Sequence, residues 1–149
     1  MTLHAPRHRR RQGFTLLELL LVVAIVAMAS AGVAFALRDA GQSRLDREAQ
    51  RLAALLEGAR AQSRSRGVTV RWRNASPGFA FDGLPSDSAL PTAWDYPETA
   101  AYSARPVALG PEPIIGAQHI RLWQQNAPER SLWVSTDGLR PFTVQNTEP

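Results

Sequence analysis

The chain has 149 residues, with 17 Arg, no Lys, 13 acidic residues, three His and no Cys. Without Cys, disulfide scaffolds and thiolate metal sites are excluded. His4 and His8 lie close to the amino terminus, leaving His119, too little for a His-based zinc site in one chain. The net charge of +4 invites a nucleic-acid reading, but Arg7, Arg9, Arg10 and Arg11 all lie in the first 13 residues. Taking these four from 17 leaves 13 Arg against 13 acidic residues, so a nucleic-acid partner is disfavoured.

Met1 to Gln12 is polar, with Pro6 and a run of Arg. It reads as a leader with charge that favours cytoplasmic retention, not as folded structure. From Phe14 to Leu37 there are 24 residues with one charge, Glu18. A membrane helix needs about 20 apolar residues. A secretory h-region is shorter, about 7–15, and ends at a small-x-small site that is missing here. A carboxylate at the centre of a membrane helix costs about 2.5–3.5 kcal/mol on insertion scales; near one end it costs less. A cut after Gly13 would place a new amine on Phe14, four residues before Glu18. The two would share a helix face, and the amine would also reach the Glu18 of a neighbouring helix. The plainer alternative is a carboxylate that snorkels to the interface.

A short basic leader, then Gly13, Phe14 and Thr15-Leu16-Leu17-Glu18, then an apolar run, resembles the type IV pilin-like precursors with their class III signal. Gly13, Phe14 and Glu18 fall on that family's cleavage glycine, methylated first residue and fifth-position glutamate. The resemblance implies that a prepilin peptidase cuts between Gly13 and Phe14 on the cytoplasmic side and methylates the new amine. Residues 1–13 would be the leader, and 14–37 a helix that serves first as membrane anchor and then as filament core. Glu18 and Phe14 would be the assembly residues. The protein would cross the inner membrane once, N-terminus cytoplasmic and C-terminal domain periplasmic. Arg38, Arg44, Arg47 and Arg51 after the span equal the leader's four Arg. The positive-inside count is therefore a tie, and orientation rests on the resemblance.

Over 38–66 the helix is expected to continue. Leu45, Ala49, Leu52, Leu56 and Ala59 form an amphipathic stripe, and Arg44–Glu48 and Glu57–Arg60 are spaced as helix ion pairs. No Pro falls between Phe14 and Ser76. Gly67 ends the helix, and 67–149 reads as a periplasmic antiparallel β domain. Val68, Val70 and Trp72 face inward by period two. Residues 74–78 form a turn, and Phe79 to Phe81 a short strand. Six Pro in 84–118 predict a long irregular loop with one short strand near Arg105 to Leu109. Its aromatics Trp94, Tyr96 and Tyr102 are expected to tuck against the sheet rather than form a partner surface. Closing strands are read at Ile120 to Gln124, Leu132 to Thr136 and Phe142 to Val144. Asp137-Gly138 is a hairpin signal between the last two. The fold class is α+β: a long N-terminal helix packed on a small antiparallel β domain.

The step from helix to strand, with Ala59-Arg60 and the Gly67-Val68-Thr69-Val70 segment, resembles the H-class pseudopilins of type II secretion. So does the Asp-Gly ending. That resemblance implies a minor pseudopilin in the tip of the periplasmic pseudopilus, driving export across the outer membrane. Its partners would be other major and minor pseudopilins, the prepilin peptidase and the inner-membrane secretion platform. Two readings stay open beside it: a minor type IV pilin acting in pilus priming or DNA uptake, and an unprocessed single-span protein with an unrelated domain. No enzyme is expected. There is no GxSxG, phosphate loop or HExxH. Asp137, Ser135 and His119 are the only triad material and read as a turn beside a strand. Asp95 and Glu98 sit in the loop without a burial signal, and Asp82 and Asp87 lack calcium-loop spacing. No cofactor and no metal are expected.

Overall fold

The structure, a computed structural model, describes residues 15–149, the side chains of 34–40 excepted. Its first element is α1, Leu16–Arg66. The chain divides into two units, 1–38 and 39–149. In the first, the described residues are helical from Leu16 onward, and Leu16, Leu17, Leu19 through Val23, Ile25, Val26, Met28 and Val33 are all exposed.

In the second unit, α1 meets seven strands: β1 (Arg71–Asn74), β2 (Phe79–Asp82), β3 (Thr99–Tyr102), β4 (Val107–Ala108), β5 (Gln118–Gln124), β6 (Ala127–Thr136) and β7 (Thr143–Gln145). They form two antiparallel sheets, ordered β2-β1-β4 and β3-β5-β6-β7. The fold is therefore α+β. The stripe Leu45, Ala49, Leu52, Leu56 and Ala59 is buried, in one core with Val70, Trp72, Phe79, Leu109, Ile120, Leu122, Leu132 and Val134. Each buried Leu contributes about 1.5–3 kcal/mol, so this face attaches the helix firmly to the sheets.

The helix ends where Gly67 takes φ +65°, a left-handed conformation that costs glycine little. The Val68 N–H reaches back to the Ser63 carbonyl at 3.1 Å, the longer of the two bonds of a Schellman turn. The Ser63 hydroxyl also donates to the Val68 carbonyl at 2.6 Å, which fixes the direction in which the chain leaves for β1.

Four expectations are corrected or refined, the last of them at Tyr102. The 84–118 segment holds two strands, β3 and β4, and a 3-10 turn at Ser86–Ser88. β3 reads Thr-Ala-Ala-Tyr and has no alternation of its own; its pairing with β5 makes it a strand. Second, Asp137-Gly138 does lie between two strands paired as a hairpin, β6 and β7, but it opens a six-residue connection, 137–142. The Asp137 carboxylate accepts the N–H groups of Leu139 and Arg140 at 2.9 and 2.8 Å, an Asx-type turn. The tight turn is Gln125-Asn126, between β5 and β6. Third, Arg44 does not pair with Glu48. It meets Glu98 at 3.4 Å, while Glu48 turns inward. Of the loop aromatics, Trp94 packs on Phe79 with ring centres 4.6 Å apart, and Tyr96 lies under the guanidinium groups of Arg44 and Arg47. Tyr102 is exposed instead of tucked, because it stands on the terminal strand of its sheet.

Candidate functional site in the apolar helix

The start of α1 explains why these residues form a helix terminus. Thr15 is the cap: its hydroxyl accepts the N–H of Glu18 at 3.2 Å, and its carbonyl accepts Leu19 N–H at 3.2 Å. Thr-x-x-Glu is the spacing of a capping box, and a carboxylate in the first turn also meets the positive end of the helix dipole. The sequence reading missed this local role of Thr15 and Glu18, although the spacing was there to find. The hydroxyl bonds the backbone of Glu18, so the carboxylate itself is left without a partner from Thr15.

Within Leu16–Val33 the only polar side chain besides Glu18 is that of Ser30. The Ser30 hydroxyl donates to the Val26 carbonyl at 2.8 Å, which removes its cost in apolar surroundings. Leu16–Val33 is long and apolar enough to cross a membrane, with mean hydropathy 2.5, and the fold covers none of it. Glu18 is the one charge in that window. A lone ionisable group on such a surface is expensive to hold in hydrocarbon and marks a functional position. Gly13 and Phe14 lie outside the described residues, so the cleavage position has no geometry here.

Residues 8–34 match the prokaryotic N-terminal methylation motif. The chain carries a type IV pilin-like prepilin signal. That signal implies processing by a prepilin peptidase and pilus-like assembly with other pilins, a structural role. Together with the single apolar helix it fits anchoring in the inner membrane. No curated protein and no solved structure matches the chain significantly.

In the second unit, buried charges on α1 hold the loops that sequence reasoning left irregular. Glu48 is 1% exposed and accepts the Tyr96 N–H at 2.8 Å. Arg51 bridges Glu48 at 3.4 Å, donates to the Ala93 carbonyl at 3.1 Å and meets Asp95 at 3.3 Å. One turn-pair further on, Arg60 is 2% exposed and donates to the carbonyls of Gly138, Arg140 and Pro113. Glu57 beside it accepts the Phe142 N–H at 3.0 Å. The periodicity of the stripe concealed these four residues, because charges at helical spacing read as a solvated face.

His119 and Asp137, read in the sequence as a turn beside a strand, are each engaged elsewhere. His119 stands opposite Ser135 across β5 and β6, but its ring packs edge-on to Trp133 at 5.3 Å. Asp137 is engaged by its own turn. The N–H groups of Arg140 and then Leu139 hold its carboxyl below the usual range. Asp87 is lowered in the same direction, chiefly by its hydrogen bond from Arg66 and then by Ser88. Among the described residues no group of three His, Asp or Glu stands where it could hold a metal.

Proposed function

We propose that the chain is a minor pseudopilin of a type II secretion system, of the H class, cut between Gly13 and Phe14 and methylated on Phe14. The observation that supports the pilin-like part of this reading is the match to the methylation motif over residues 8–34, together with an apolar segment, Leu16–Val33, that is left bare and bears one carboxylate near its amino-terminal end. The H-class part is supported by the sequence resemblance at Ala59-Arg60 and Gly67-Val68-Thr69-Val70. In assembly, Glu18 neutralises the Phe14 amine of an adjacent subunit. The pairing sets axial register while the apolar faces pack. Mispaired registers leave a charge buried in an apolar bundle, which is strongly disfavoured. The β domain faces the periplasm and contacts other pseudopilins at the tip, and growth of the short filament pushes folded substrates outward.

The test is a clean deletion in the host, scored for secreted proteins in the medium and for pilus-dependent motility or DNA uptake. Loss of secretion with pili intact is the expected result. Loss of pilus function with secretion intact would move the protein to the minor pilins. Terminal mass spectrometry on the membrane-extracted protein checks the processing step separately: the mature chain must begin at a methylated Phe14.

A further inference from the structure

Strand β3 is the last strand of its sheet, and its inner neighbour is β5. Gln125 N–H donates to the Glu98 carbonyl at 2.8 Å, which sets the phase of the ladder. In an antiparallel pair, hydrogen-bonded and non-bonded positions alternate. Ala100 and Tyr102 therefore exchange bonds with β5, while Thr99 and Ala101 turn their backbone groups to the open side. The Thr99 N–H is taken by the Tyr96 carbonyl at 2.9 Å. The Thr99 carbonyl and both backbone groups of Ala101 have no backbone partner there among the described residues. β3 is short, four residues, but it has no Pro, no Lys and no charge within Thr99–Tyr102 to turn a further strand away.

A cleft of about 420 Å³ runs beside this edge, within the size range of ligand pockets. Trp94, Pro97, Thr99, Ala100, Ala101 and Gln125 line it, together with the 75–78 turn, and no lining residue is charged. Thr99 is 3% exposed and its hydroxyl has no hydrogen-bond partner. A buried hydroxyl left so is uncommon. The wall opposite is held in place. Trp94 is seated on Phe79, Phe79 N–H donates to the Thr92 carbonyl at 2.9 Å, and Arg51 fixes Ala93.

From this geometry we infer that the β3 edge and its cleft take up an extended peptide strand from a partner protein, with an uncharged side chain seated against Trp94. The unpaired backbone groups call for a peptide backbone, as in strand addition. The uncharged lining offers nothing to a nucleic acid or an anionic headgroup. Up to three backbone bonds and one apolar anchor give modest affinity, suited to a contact that is made and released. The site does not depend on which secretion or pilus machine the chain serves.

The test uses the full chain in detergent micelles and an array of capped heptapeptides with alternating uncharged side chains. Binders are then titrated in solution with hydrogen exchange at Ala101 as readout. Exchange at Ala101 N–H is expected to slow at least tenfold on saturation. Ala101→Pro removes the outward donor without touching a bond to β5, and Ala100→Arg places a charge in the cleft; each is expected to weaken binding about tenfold. Binding unchanged in both variants, or protection that leaves Ala101 untouched, overturns the proposal. So does an array with no binder. Slow exchange at Ala101 that rises with protein concentration alone also overturns it, since a second copy would then occupy the edge. If Ala101→Pro fails to fold, Ala100→Arg and wild-type exchange still decide.

Discussion

The carboxylate of Glu48 and the backbone N–H of Tyr96 meet at 2.8 Å, 48 positions apart in sequence, with Glu48 almost wholly buried. This contact ties the middle of a Pro-rich loop to the helix. It also places Trp94 over Phe79 and the β3 edge beside it, so one helix residue sets the position of a whole surface.

Removing that carboxylate is expected to be costly. Glu48→Ala leaves the Tyr96 N–H and the Arg51 guanidinium without their buried partner, a loss of about 2–4 kcal/mol. Glu48→Gln keeps an acceptor and should lose less. Denaturant titration of the two variants beside wild type gives the difference; equal stability in all three would mean the loop is held by other contacts.

Arg60 should not be replaceable by Lys. Its planar fork serves the carbonyls of Gly138, Arg140 and Pro113 together, and an ammonium on a flexible stem cannot match that geometry. Both Arg60→Lys and Arg60→Ala are expected to destabilise, by about 2 and 3 kcal/mol. Hydrogen exchange should then quicken first in 137–142.

Gly138 is a third sensitive point. It adopts φ +94°, and a Cβ there would collide with the Ile115 carbonyl. Gly138→Ala is expected to lower the melting temperature by several degrees, while Gly58→Ala, where a Cβ meets nothing, should leave it unchanged or raise it.

Acid should weaken the domain through two carboxylates. The Asp87 and Asp137 pKa values are both depressed below 3.8 in the fold. A depressed folded pKa means stability that is complete above the unfolded value and lost as pH falls through the folded one. The stability gap between wild type and Asp137→Ala should therefore be largest above about pH 4 and narrow below it. Melting curves from pH 2 to 6 would show this, and a gap independent of pH would contradict the assignment.

The cap and the charge at the helix start can be separated. Thr15→Val removes the capping acceptor at about 1 kcal/mol and should leave filament assembly intact. If the proposed function holds, Glu18→Gln, which keeps the side-chain shape but not the charge, should abolish assembly, read by pull-down of the pseudopilins proposed as partners. Normal assembly of Glu18→Gln would leave the carboxylate only its local role in the first turn.

The parts legible in the sequence were those governed by apolar periodicity. The stripe from Leu45 to Ala59, the stop at Gly67 and the strands of Ile120 and Val134 all follow from patterns of 3.6 and 2. What escaped was set by contacts distant in sequence. β3 has two alanines and becomes a strand through its neighbour. Glu48 and Arg60 look like surface charges until the loops that cover them are known. In the candidate site, the lone Glu18 is conspicuous in an apolar run, whereas the bond from its backbone N–H to the Thr15 hydroxyl is hidden, because an uninterrupted apolar segment does not mark where its helix begins.

The bare helix has one more consequence. Lipid tails and leucine side chains are equally apolar, so a helix with no cover from its own fold gains little solvation energy in moving from a bilayer into a bundle of similar helices. The two environments are close to level for all its methyl groups. On the proposed reading, what distinguishes them is the Glu18 side chain, which meets only water and headgroups at a membrane surface but meets the Phe14 amine of a neighbour inside a bundle. On that reading, the choice between lipid and bundle then rests on one charge pair rather than on the many methyl groups, so a single proton or a single side-chain amide is enough to decide it.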